Sequence, residues 1–158
     1  MTASRPLVKV VLEHALIERG GDLGAAEIYF EGWVDDGAGT RRAFRIPREG
    51  AIPGVKDGQT LPLDTVIFES VTPIGPTLQV HVEAWDEDLG RQSLLDPDDL
   101  LGTYEQVFDA SVGWGVGGHA DIALDSDDGA WKLTYRIEAH RRIEDIAADD
   151  DVELPATD

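Results

Sequence analysis

Residues Trp131 to His140 alternate without a break. Trp131, Leu133, Tyr135, Ile137 and Ala139 stand on one side, and Lys132, Thr134, Arg136, Glu138 and His140 on the other. Side chains of a strand point to opposite faces with period two, whereas those of a helix return near every fourth position, so this segment predicts a half-buried strand. Such alternation belongs to an antiparallel sheet packed on one side only. Leu78, Val80, Val82 and Ala84 repeat the pattern, and no stretch of useful length carries a helical period. Further strands are expected at Leu7 to Glu13, Ala26 to Val34, Arg41 to Ile46, Thr65 to Val71, Leu101 to Phe108 and Ala120 to Leu124, which makes eight.

Turn chemistry fits that division. Asp35-Asp36-Gly37-Ala38-Gly39 and Asp127-Asp128-Gly129 read as hairpin turns, because Asp and Gly tolerate the positive φ of tight reversals. Pro47 to Pro62 reads as a long loop with a short turn at Val55-Lys56-Asp57-Gly58, and four glycines around Trp114 mark another connection. Eight short strands within 158 residues predict an all-β fold, an eight-stranded antiparallel β-sandwich with its loops gathered at two ends. One domain is expected over residues 1–142, followed by an acidic, disordered tail over 143–158 that is too charged to bury much surface.

Charge and cysteine content remove whole classes of function. The net charge is −19, and residues 144–158 hold seven acids and no base, which leaves −12 for the rest. Nucleic acid is therefore not an expected partner. Cysteine is absent, so disulfides, thiolate metal sites and thiol catalysis are excluded. No apolar run suggests a signal peptide or a membrane span, and the expectation is a soluble, cytoplasmic protein.

The acids also cluster. Asp86 and Asp88 continue the parity of Leu78, Val80, Val82 and Ala84, so they extend the buried face of that strand and must stand at its end. A second group, Asp96, Asp98 and Asp99, precedes the next apolar segment. Carboxylates converging at one rim call for a hard cation, most simply calcium, which accepts six to eight oxygen ligands in irregular geometry.

The run Leu78 to Asp88, continued by Asp99-Leu100-Leu101-Gly102, resembles the strand, Asp-x-Asp and Asp-x-Leu-Gly elements of C2 domains. Leu7 to Leu16 with Asp22-Leu23-Gly24-Ala25-Ala26-Glu27-Ile28-Tyr29 is similar to that family's opening strand and first calcium loop. The resemblance covers roughly residues 7–140 and implies the type II strand order. It also implies calcium ligands at Asp22, Glu27, Asp86, Asp88 and Asp99, with Asp96 and Asp98 as competitors for the last role. Glu27 stands where the family prefers Asp, and Ile28 replaces a family Pro. The lipid-facing basic patch of the family is represented by Arg41, Arg42, Arg45 and Arg48 alone, so a protein partner is favoured over an anionic membrane.

Other chemistry finds little support. Neither Asp86 to Gly90 nor Asp125 to Gly129 has EF-hand spacing, the lone Asp-x-Asp lacks a nucleotide-binding context, and the four histidines are scattered singly. No nucleophile and base stand at a meaningful spacing, so catalysis is not expected; a carboxylate-metal hydrolase would need a separate base. Trp131 is assigned to the core, Trp33 and Trp85 to the outer face of a sheet or a protein contact, and Trp114 to an exposed anchor. The expected function is a calcium-binding module that orders its acidic loops on metal binding and docks a protein or an anionic surface. The rival is a metal-independent structural or assembly scaffold with an acidic surface.

Overall fold

The computed structural model describes residues 5–19, 26–87, 99–124 and 130–140, with backbone alone at Arg19, Ala26, Asp99 and Ala130. Nine strands form two antiparallel sheets: β1 Leu7–Arg19, β2 Ala26–Asp35, β3 Arg41–Ile46, β4 Ile52–Val55, β5 Thr60–Glu69, β6 Thr77–Asp86, β7 Asp99–Asp109, β8 Gly117–Leu124 and β9 Ala130–His140. One sheet has the order β5-β1-β9-β8, and the other β3-β2-β6-β7 with β4 paired to the free part of β2. The hairpin turn expected at Asp127 to Gly129 and the tail over 143–158 lie outside the described residues.

All eight expected strands are present, and β4 is the addition. It lies inside the segment read as a loop, where Pro53 and the positive φ of Gly54 hide any strand signal. Pairing with β2, Ile28 to Ile52 and Ala26 to Val55, holds it in place. β1 also runs six residues past its expected end. A register shift between Leu12 and His14 flips its parity, so Val8, Val10 and Leu12 face inward before it, and Ala15 and Ile17 after it. A β-bulge inserts one residue and turns the following side chains to the other face.

The core is the interleaving of these inner faces. Leu78, Val80, Val82 and Ala84 of β6 are fully buried, as are Leu133 and Tyr135 of β9. Trp131 is buried and meets Phe30 of the opposite sheet edge-on, with ring centroids 5.7 Å apart, so it ties the layers together as expected of a core residue. Trp114 corrects the expectation of an exposed anchor, being only 7% exposed. It sits in a 3-10 turn, Ala110–Gly115, where its own φ of 52° is left-handed. The turn folds the indole under itself, and Gly115 brings the backbone so close to Phe108 that a Cβ would lie 2.6 Å from its ring.

The outer face of the second sheet carries the remaining tryptophans. Trp33 stacks on His81 at 5.0 Å with the Arg41 guanidinium 3.7 Å from its ring centre, and Trp85 lies parallel to Tyr29 at 6.2 Å with Arg45 over the phenol. Both ring nitrogens of His81 face carboxylates, Nδ1 with Glu105 at 2.9 Å and Nε2 with Glu83 at 2.7 Å.

Candidate functional site at the acidic end

One end of the sandwich gathers the acidic motif. β6 alternates partly and fully buried residues along its whole length, and Asp86 takes the last inward position at 4% exposure. Register sets Ile28 of β2 on one side of Asp86 and Asp99 of β7 on the other. The Asp86 carboxylate accepts the Glu27 N–H at 3.2 Å, and the Glu87 N–H donates to the Glu27 carbonyl at 2.7 Å. Glu27 and Asp86, which are remote in sequence, are thereby clasped together where the strands end.

The turn after β4 belongs to the same end. Val55 pairs with Ala26 in the second sheet, while Gly58 N–H donates to Ile17 O at 2.5 Å and Ile17 N–H donates to Gln59 O at 3.0 Å in the first. The turn therefore bridges the two sheets and brings Asp57 to the acidic end. Nothing in the sequence singles out Asp57, because its position depends on a strand that no periodicity announces.

Glu87 lies within the acidic motif but on the parity opposite to Asp86 and Asp88, so alternation does not select it. Its Oε2 is buried and makes no hydrogen bond among the described residues. Removing a carboxylate oxygen from water without a partner is costly, and a cation is the natural complement. Hard oxygen donors of this kind fit calcium or magnesium and would bind softer metals poorly.

Of the expected ligands, Glu27 and Asp86 are brought together, and Asp99 is placed opposite Asp86 by backbone register alone. Asp22, Asp88, Asp96 and Asp98 lie outside the described residues. Among the described residues no three acids or histidines converge closely enough to hold a metal ion. None of their helices is long and apolar enough to cross a membrane.

The arginines that would furnish a basic patch are engaged on the sheet face. Arg41 pairs with Asp35 at 3.1 Å while covering Trp33. Arg45 donates to the carbonyls of Pro47 and Gly50, both at 2.8 Å. A guanidinium bound in this way has fewer donors left for a phosphate headgroup.

No protein-family model matches the chain, and no curated protein sequence does. Solved structures do match. The A domain of the C2 pair in plant extended synaptotagmin 1 aligns with a TM-score of 0.55 at 10% identity, over 89% of this chain and 98% of that one. The paired A and B C2 domains of extended synaptotagmin 2 align at 0.55 and 18% identity, over 96% of this chain and 49% of that one. Human GIVD cytosolic phospholipase A2, in complex with a fluorophosphonate inhibitor and terbium chloride, aligns at 0.52 and 13% identity over 90% of this chain. This chain spans about half of the second protein and 18% of the third. With strand order, sheet pairing and near full-length superposition in agreement, the chain has the fold of a C2 domain.

Proposed function

We propose that the acidic end is a calcium site that orders its loops on metal binding and thereby makes that end competent to dock a partner. Its ligands are Asp22, Glu27, Asp86, Asp88 and Asp99, with Asp96 and Asp98 as further carboxylates and Glu87 as an additional donor. The observation that carries the reading is Asp86, a carboxylate delivered by strand parity to the buried face at the strand's last position. The unpartnered Oε2 of Glu87 beside it supports the same conclusion. Glu27 and Asp86 would hold the ion from the two described strands, and the ion would supply the positive charge that these carboxylates call for. A protein is the favoured partner over an anionic membrane, because Arg41 and Arg45 are committed to Trp33, Tyr29 and backbone carbonyls.

The test is thermal unfolding of the full chain in chelator, in calcium and in magnesium at equal ionic strength. Terbium luminescence excited through the tryptophans, Trp85 being adjacent to Asp86, gives a second readout that calcium should quench by displacement. A rise in midpoint specific to calcium, together with that displacement, is expected. Equal midpoints and no sensitised terbium emission would overturn the proposal.

A further inference from the structure

The sandwich has five strand edges without a described neighbour, and four of them carry features that discourage pairing. β3 has six residues, three of them arginines, and β4 has four residues including Pro53. β5 contains Pro62 and a positive φ at Asp64, while β8 is broken by a register shift after His119 and a positive φ at Asp121. Proline, bulges and clustered positive charge are the means by which natural proteins protect sheet edges. β7 has a register shift only near its start, at Leu101, and none of these features beyond it. From Gly102 to Asp109 it pairs regularly with β6, carries no proline, no base and no positive φ, and ends its sheet.

The C-terminal half of this edge borders a groove. Val107, Val112 and Val116 are 49%, 58% and 46% exposed, and together they line a cavity of about 380 Å³ between β7, the 3-10 turn and the start of β8. Its floor is held by Phe108 against His119, centroids 5.2 Å apart, and His119 is in turn stacked on Tyr135 at 4.7 Å. That volume falls in the range of formed ligand sites, which begins near ~300 Å³. The rim is acidic: Glu105 and Asp109 are exposed, and Ser111 holds the Asp109 carboxyl below the usual range through two hydrogen bonds.

We infer that β7 receives an extended, basic segment of a partner protein by strand addition, with an apolar side chain of that segment seated among Val107, Val112 and Val116. Main-chain hydrogen bonds to a regular edge supply affinity, and a pocket for an alternate side chain supplies selection. The charge of the occupant follows from Glu105, Asp109 and the net −19. A second copy of the chain is disfavoured for the same reason, since two β7 edges side by side would bring like carboxylates together. This surface lies away from the acidic end and works without metal, so it stands independently of the calcium reading.

The test uses the full chain in chelator and a short fluorescein-labelled peptide alternating lysine and valine, followed by anisotropy and by amide chemical shifts of the ¹⁵N-labelled protein. Shifts are expected at 102–109 and 112–116. Val107→Lys and Val116→Lys should each weaken binding at least about tenfold while leaving the thermal midpoint in place. The same peptide N-methylated on alternate amides, with charge and side chains retained, should lose binding, and this arm does not depend on any variant folding. The inference is overturned by equal binding of the N-methylated peptide or of a glutamate–valine peptide. It is also overturned by shifts centred on 26–28 and 86–87, by a requirement for calcium, or by self-association through β7 that the peptide does not displace.

Discussion

The hydroxyls of Tyr104 and Tyr135 stand 2.6 Å apart, one on β7 and the other on β9, and their hydrogen bond joins the two sheets through the core. Burial pushes the Tyr135 phenol well above its ordinary range, with the bond to Tyr104 adding to the effect, and burial raises Tyr104 as well. Both groups are held neutral by the fold. Tyr104→Phe leaves the Tyr135 hydroxyl buried without this partner and should cost about 1–3 kcal/mol, whereas the double Phe variant should recover much of that loss. Urea unfolding of the four-membered cycle measures the coupling.

The same pair sets an alkaline limit. A folded-state pKa above the unfolded value near 10 means that the contribution is complete below about pH 10 and is lost as pH rises beyond it. Unfolding free energy should fall more steeply above that pH in the native chain than in the double Phe variant. Equal slopes would show that these phenols are not the groups responsible.

At the acidic end, Asp86→Asn preserves an acceptor for the Glu27 N–H, so stability in chelator should change little. The calcium response should disappear. Under the calcium reading, metal at about 100 times its dissociation constant stabilises by about 2.7 kcal/mol, or roughly 5–11 °C for a chain of this size. Glu87→Gln should reduce that rise without abolishing it. Scanning calorimetry with and without calcium checks both variants.

Two glycines in one turn separate backbone strain from crowding. Gly113 has φ 58° with open space at its Cβ position, and Gly115 has φ 72° with the Phe108 ring 2.6 Å away. Gly113→Ala should cost about 1–2 kcal/mol from the left-handed backbone alone. Gly115→Ala should cost about 2–4 kcal/mol, because displacement of Phe108 is added. Denaturant midpoints at constant slope would establish the difference.

On the outer face, Arg41→Ala should cost about 0.5–1 kcal/mol through loss of its stacking on Trp33. Arg41→Lys should restore only part of this, since an ammonium keeps charge but lacks the planar contact. The gap between the two variants should survive added salt, which screens the Asp35 pair but not the stacking. Equilibrium unfolding at low and high ionic strength tests it.

Legibility in the sequence follows regularity. β3, β6 and β9 match their expected bounds to within a residue because nothing interrupts their alternation. The second half of β1 is hidden by the shift at Leu12 and His14, since a parity change looks like the end of a pattern. β4 is stabilised by its neighbour rather than by its own residues. Asp86 is legible from parity alone, whereas Glu87 and Asp57 are not, because their roles arise from burial and from a turn placed by β4. Trp114 is misread because glycines that suggest an open loop also permit the left-handed turn that buries it.

With Arg41 and Arg45 laid flat on Trp33 and Tyr29, much of the chain's scarce positive charge is spent on its own aromatic rings. An approaching molecule meets a long-range field dominated by one sign, so cationic partners are steered in quickly and anionic surfaces are turned away before contact. The kinetic signature is an association rate that falls with added salt while the dissociation rate hardly moves.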